Sequence, residues 1–203
     1  MPRAGFLALL GWFVRQEFFD TASCASMRRE MQCSPTDPAR ILDGENQLVI
    51  ESGLRRTEVA LMSAATQQMV TYRLIAIKPM LEKQFGFELS GCEPPSFLIY
   101  KEGFYYGRHA DANLDPAAPA RFQQRRVSIS IFLNGEGGVE EPDTYSGGSL
   151  TFHGSPREAP NAKNLGLAVE GEEGLLIGFR SDWPHEVQPV LRGTRYSIVT
   201  WFS

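Results

Sequence analysis

Histidine and cysteine are scarce in this sequence: three of each in 203 residues, at His109, His153 and His185 and at Cys24, Cys33 and Cys92. An odd cysteine count with no zinc-ligand spacing excludes a disulfide framework or zinc ribbon and leads us to expect free thiols in a reducing cytoplasm. No run of Lys or Arg occurs, and 24 acidic residues against 20 basic give a net charge of −4. A chain that lives on phosphate backbones is therefore disfavoured, and no nucleic-acid partner is expected. The apolar stretch from Ala4 to Val14 is too short to cross a bilayer, so no membrane partner is expected. Arg15, Glu17 and Asp20 close it before any small-residue cleavage site, and it reads as a buried strand or short helix rather than a signal peptide. There is no internal repeat or low-complexity run. With 42% hydrophobic and 22% charged residues, the chain reads as one domain, 1–203, large enough to build its own core.

The composition changes character near Gly86, dividing a mostly helical support, 1–86, from a strand-rich core, 87–203. Thr21 to Met31 is predicted helical with Thr21 as N-cap, followed by an exposed loop, Cys33-Ser34-Pro35-Thr36-Asp37-Pro38. A second helix is predicted from about Thr57, because Val59, Met62, Met69, Val70, Leu74, Ile77 and Leu81 recur at three- and four-residue spacing, with Pro79 kinking or restarting it. Beyond it, Ser96–Tyr100, Val127–Leu133, Ser149–Phe152, Leu175–Phe179 and Tyr196–Phe202 read as short strands bounded by turn formers. Alternation puts Val127, Ile129, Ile131 and Leu133 on one face of their strand and Ser128, Ser130 and Phe132 on the other. The expected fold is mainly β with supporting helices: a two-sheet jelly roll whose interior holds a ligand, backed by the long helix.

Chemistry concentrates at the histidines. His109-Ala110-Asp111 sets an imidazole and a carboxylate two residues apart, on one side of an extended chain. With the remote His185 they make two histidines and one carboxylate, the facial set that leaves open positions on a non-haem Fe(II). A zinc hydrolase built on H-E-x-x-H is the minor alternative, since no such run exists. On the last strand Arg195, Ser197, Val199 and Trp201 share a face. An inward arginine calls for an anion, either an internal carboxylate or the distal end of a dicarboxylate ligand, to which Ser197 can add a hydroxyl. His153 reads as solvent-facing or hydrogen-bonded, and Trp183 equally as packing or as substrate mouth.

These residues carry a resemblance. Tyr100-Lys101-Glu102-Gly103-Phe104-Tyr105-Tyr106-Gly107-Arg108-His109-Ala110-Asp111 is similar at every fixed position to the Y-x-x-G-x-x-Y-x-x-H-x-D signature of the prolyl 4-hydroxylase-like Fe(II)/2-oxoglutarate-dependent dioxygenases. Tyr145-Ser146-Gly147-Gly148-Ser149-Leu150-Thr151-Phe152 resembles that family's Y-x-G-G-x-L-x-F element, and Pro184-His185 through Gly193-Thr194-Arg195-Tyr196-Ser197 its second-histidine and arginine segment. The likeness covers roughly Pro95 to Ser203.

The resemblance implies a double-stranded β-helix (jelly roll, cupin-like) with N-terminal helices packed on the major sheet. It implies Fe(II) on His109, Asp111 and His185, and 2-oxoglutarate on Arg195 and Ser197, with Tyr100 and Tyr106 lining the pocket. The implied reaction is hydroxylation of an unactivated C–H bond by O2 as 2-oxoglutarate is decarboxylated to succinate and CO2, with ascorbate a further candidate cofactor. An amino-acid side chain, peptidyl or free, is the expected substrate. A small-molecule oxygenase with the same iron site and a non-catalytic cupin-like sensor of oxygen or 2-oxoglutarate stand as alternatives. Intact Asp111 favours hydroxylation over halogenation, and Trp201, where a nucleic-acid demethylase would carry a second arginine, disfavours that activity. Phe132 departs from the family, which often has a polar side chain there; either 2-oxoglutarate leans harder on Arg195, or Ser128 or Ser130 substitutes. The connections Ala112–Gln124 and Gly135–Ser146 are long enough for lids. Glu136, Glu140, Glu141 and Asp143 in the second would suit a cationic substrate, but read better as a solvated face.

Overall fold

The computed structural model describes residues 11–43, 45–137, 143–154 and 166–203. The expected segment at Ala4–Val14 lies mostly outside them; its end joins β1. Seven strands form the major sheet, in the order β1 (Phe13–Arg15), β13 (Leu176–Arg180), β9 (Val127–Phe132), β16 (Arg195–Phe202), β7 (Ser96–Tyr100), β6 (Glu58–Ala60) and β2 (Thr36–Pro38). Five form the minor sheet: β12 (Gly166–Val169), β11 (Leu150–His153), β14 (His185–Val187), β8 (Tyr105–His109) and β5 (Arg55–Arg56). Two small ribbons pair β3 (Ile41–Leu42) with β4 (Leu48–Val49) and β10 (Ser146–Gly147) with β15 (Val190–Arg192). All named strand pairs are antiparallel. From β7 onward the chain crosses back and forth between the two sheets, which is the winding of a double-stranded β-helix.

Alternation along the strands decides what each face buries. Val127, Ile129 and Ile131 of β9 and Ile198 and Phe202 of β16 turn outward onto the helices. Their cluster also contains Met27 and Met31 of α1 (Thr21–Cys33) and Val70, Leu74, Ile77 and Leu81 of α2 (Ala64–Phe85). The inward side chains, among them Leu98, Phe132 and Phe179, meet Leu150, Phe152 and Val187 of the minor sheet in a second core. Full burial of such side chains contributes about 1.5–3 kcal/mol each, so both cores hold the sheets in place around whatever lies between them.

The helices differ from their sequence reading at both starts. Asp20, not Thr21, caps α1, accepting from the Ser23 N–H at 2.7 Å. The second helix begins at Ala64, capped by Ser63. Val59 and Met62 keep the helical spacing, yet Glu58–Ala60 instead pairs with β7, with Val59 opposite Leu98; a ladder of backbone hydrogen bonds at the sheet edge outweighs local periodicity. Pro79 neither ends nor restarts α2. The carbonyl it leaves without a donor belongs to half-exposed Ile75, where water can replace the bond. Gly86 ends the helix with φ 77°.

The first 86 residues are less helical than their composition suggests. They supply β1, β2 and β6 to the major sheet and β5 to the minor one. These strands are two or three residues long, too short to show alternation. The predicted loop at Cys33–Pro38 is exposed at Thr36–Pro38, as expected, but those residues form the edge strand β2.

Candidate active site

His109 closes β8 and His185 opens β14, and the two strands pair so that these histidines stand directly opposite each other. Asp111 follows in the loop after β8, where its N–H and that of Ala112 both donate to the Ser181 carbonyl, at 3.0 and 2.9 Å. The spacing of i and i+2 on an extended chain and one cross-strand register therefore bring the three residues together. One ligand atom from each lies within 4.8 Å of the others.

Each of the three is held in a state suited to a metal. His109 Nδ1 lies 2.8 Å from the Gly107 carbonyl and His185 Nδ1 2.9 Å from the Trp183 carbonyl. Those carbonyls fix the proton on Nδ1 and leave both Nε2 lone pairs free for an ion. His185 Nε2 is 3.5 Å from Asp111 Oδ2, and His109 Nε2 is 3.7 Å from Asp111 Oδ1. Burial, assisted by the neighbouring His109, pushes His185 down to about 4, so its imidazole is neutral at pH 7. Burial alone would raise the Asp111 carboxyl, but His185, His109 and Ser128 outweigh it and hold it well below the usual carboxylate range. Ser128 reaches Asp111 from the inward face of β9, donating to Oδ2 at 2.6 Å. Two imidazoles and a carboxylate in this state fit Fe(II).

The three residues open onto a cavity of about 560 Å³, which Arg195 also lines. Arg195 is 1% exposed; its Nη1 donates to Ser197 Oγ at 3.1 Å, and its Nε is buried without a hydrogen-bond partner among the described residues. Among the described residues no carboxylate makes an ion pair with it. Glu136, whose charge reaches it, has both carboxylate oxygens 2.9 Å from Ser149 Oγ. A buried guanidinium left this way costs free energy until an anion completes it, and a dicarboxylate such as 2-oxoglutarate fits that need. Ser197 does not line the cavity; it orients the guanidinium. Tyr100, 1% exposed, lies with its ring 5.1 Å from the Arg195 Cζ, and Tyr106 stacks on His109 with ring centroids 3.5 Å apart. Burial pushes the Tyr106 hydroxyl up to about 12, so it stays protonated.

Several expectations are corrected here. Ser128 does not stand in for a donor at Phe132, because it is engaged by Asp111 at the opposite end of the site. Phe132 is fully buried against Arg195, its ring 5.0 Å from Cζ. Ser130 lines the cavity, and the polar group found beside that guanidinium is Tyr145, which the sequence shows only as a motif position. Its hydroxyl is fully buried, feels Arg195 and makes no hydrogen bond of ordinary geometry. Gly147 and Gly148, both at φ 68°, make room for this corner: a Cβ on Gly148 would lie 3.3 Å from Arg195 Cδ and 3.4 Å from Tyr145 Cε2. Trp183 is packing, not mouth. It is 9% exposed beside Trp12 and Phe152, and its Nε1 donates to the His153 carbonyl at 3.1 Å. His153 Nε2 lies 3.0 Å from Glu186 Oε1, away from the ligand set. Of the second connection's acids, Glu140 and Glu141 lie outside the described residues, and Asp143 pairs with Arg28 at 3.3 Å. In the first connection α3 (Ala120–Gln124) lines the cavity through Arg121 and Phe122. No helix among the described residues is long and apolar enough to cross a membrane.

Known proteins fall into line with this geometry. A PKHD-type hydroxylase of Acidovorax ebreus is 33% identical over 111 residues, 54% of this chain and 43% of that protein, so the chain matches less than half the length of that relative. The fold is shared with a Pseudomonas putida prolyl-4-hydroxylase, at TM-score 0.70 and 23% identity over 98% of this chain and 95% of the other. It is shared also with a Trichoplax adhaerens prolyl hydroxylase solved with a hypoxia inducible factor oxygen degradation domain peptide, at TM-score 0.69 and 18% identity over 98% and 86%. Residues 95–203, the segment that carries every residue of the cluster and Arg195, match the 2OG-Fe(II) oxygenase superfamily, and to that superfamily the chain belongs.

Proposed function

We propose that the chain is a hydroxylase that uses Fe(II), 2-oxoglutarate and O2 to oxidise an unactivated C–H bond of an amino-acid side chain, peptidyl or free. The observation that carries this reading is the pairing, across one cavity, of the His109, Asp111 and His185 cluster with a buried arginine that lacks an anion. Fe(II) held by that cluster, with 2-oxoglutarate, supplies the chemistry that splits O2 between the substrate C–H bond and the decarboxylation that yields succinate and CO2. The chain's own groups bind and orient. Arg195 takes the far carboxylate of 2-oxoglutarate through its planar fork, Ser197 fixes that fork, and Tyr100 and Tyr106 wall the space between. Ser128 holds the Asp111 carboxylate ionised and aimed, while the Gly107 and Trp183 carbonyls keep both histidines in the ligating tautomer. Leu98, Leu150, Phe179 and Val187 give the cavity an apolar side that excludes water from the reacting centre.

Residues 1–203 act as one domain in this reading, with ascorbate as the reductant that restores Fe(II). A cytoplasmic location suits the three unpaired thiols, Cys24, Cys33 and Cys92. A direct test supplies Fe(II)-loaded protein with 2-oxoglutarate, O2 and pools of peptides and free amino acids, and reads succinate and product mass together. Succinate should form in step with a product heavier by one oxygen, and His109→Ala or Asp111→Ala should lower both at least about a hundredfold. Folded, metal-loaded wild type that leaves 2-oxoglutarate unconsumed in every pool would exclude the activity.

A further inference from the structure

The charge lining the cavity is not balanced by the proposed cofactors. Asp111 and Arg195 are accounted for by iron and 2-oxoglutarate, and together these four sum to no net charge. Arg125 is neutralised by Glu93, which accepts from its Nε at 2.6 Å and its Nη2 at 2.9 Å. Three lining cations remain, Arg40, Arg55 and Arg121, and none forms an ion pair among the described residues. In the neighbouring turns Asp43 accepts from the Glu45 and Gln47 N–H groups at 2.9 and 2.8 Å and Asp115 from the Ala117 N–H at 2.9 Å, while the Glu45 and Glu51 side chains are exposed and pair with no arginine among the described residues.

Arg55 is not an ordinary solvated arginine. It is half-buried on β5, in register with Tyr106 of β8, and its Cζ lies 4.5 Å from the Tyr106 ring centre. Tyr106 in turn stacks on His109 at 3.5 Å, so the guanidinium sits within about 8 Å of the ring of a cluster histidine. Its Nη1 donates to the Arg40 carbonyl at 3.3 Å, and its Nε is buried with no acceptor among the described residues. A charged donor buried without an acceptor is destabilising, and a planar carboxylate is the anion its fork fits best.

We propose that this wall is a carboxylate-binding subsite in which Arg55, flanked by Arg40 and Arg121, holds a carboxylate that the substrate carries close to the carbon being oxidised. The proposal rests on the oxygenase reading and narrows its substrate class to those that carry a carboxylate. The carboxylate is either the main-chain carboxylate of a free amino acid or an acidic side chain in a peptide. The stack from Arg55 through Tyr106 to His109 then sets the distance between the anchored group and the metal.

Binding to protein loaded anaerobically with Fe(II) and 2-oxoglutarate tests this. The probes are labelled hexapeptide pools containing Asp and Glu, the same pools with Asn and Gln, free amino acids against their carboxamides, and a single-stranded oligonucleotide. Carboxylate probes should bind at least about tenfold tighter than their amide counterparts, and Arg55→Gln should erase that ratio. Arg55→Lys should keep part of it, and Arg121→Gln, on an exposed helix, should lower it about threefold even if Arg55→Gln does not fold. The arm that shows the ratio, peptide or free amino acid, identifies the source. Equal binding of acid and amide by protein whose iron and 2-oxoglutarate are bound would overturn the subsite and leave the oxygenase reading standing. Preferential, Arg55-dependent binding of the oligonucleotide would overturn it in favour of a phosphate partner. An acid preference in protein that binds no 2-oxoglutarate would retain the subsite and contradict the oxygenase.

Discussion

Ser128 carries one hydroxyl proton, and at 2.6 Å from Asp111 Oδ2 it is donated as a hydrogen bond to the carboxylate. In the proposed iron site the hydroxyl would act on the metal through Asp111, a positioning role that an alanine cannot fill. Ser128→Ala should lower Fe(II) affinity about tenfold while 2-oxoglutarate still binds the metal-loaded protein normally. Parallel titrations of metal and 2-oxoglutarate check this, and unchanged metal affinity would show the bond to be incidental. The clustering of His109, Asp111 and His185 was legible in sequence because an i, i+2 pair on an extended chain and a spaced motif are local features. Ser128 was not, since its partner lies across the sandwich and the strand pattern reveals only that it faces inward. Arg55 and Tyr145 were hidden for the same reason: each matters through neighbours distant in the chain, Tyr106 in one case and Arg195 in the other.

At the scale of elements, the arginine corner is shaped by connections as much as by strands. Gly171, in the link between β12 and β13, lies so close to this corner that a Cβ would stand 2.1 Å from the Tyr145 hydroxyl and 2.7 Å from Phe132 Cδ1. Gly171→Ala must displace Tyr145 from beside Arg195. The expected outcome is an about tenfold loss of 2-oxoglutarate affinity with Fe(II) affinity retained, the reverse of the Ser128→Ala pattern; equal loss of both would place the damage in the fold instead. The longer elements were visible in the sequence because alternation over five or more residues sorts faces unambiguously, as in β9 and β16. The start of α2 was misread because Val59 and Met62 satisfy two periodicities at once, and only pairing with β7 decides between them. Strands of two or three residues, β5 above all, carry no period to read.

For the whole molecule, two cores on either side of the major sheet divide the labour. The helices and outward residues of β9, β16 and β7 build one, and the other fills the space between the sheets around the cavity. The strand-rich core was readable from composition and motif order, and the helical backing from its apolar stripe. The contribution of the first 86 residues to both sheets was not, and β5 is the strand by which that half delivers Arg55 to the site. Because the cluster and Arg195 come from different strands of the second half, their joint action depends on the closed sandwich rather than on any one segment.

The most direct test of the central claim is an anaerobic titration of Fe(II) and 2-oxoglutarate into the purified protein, followed by the weak visible metal-to-ligand charge-transfer band. The band should appear in wild type, vanish in His109→Ala and Asp111→Ala, and need at least about tenfold more 2-oxoglutarate in Arg195→Ala. A folded wild type that binds the metal yet gives no band at saturating 2-oxoglutarate would contradict the account and leave the barrel a binding module.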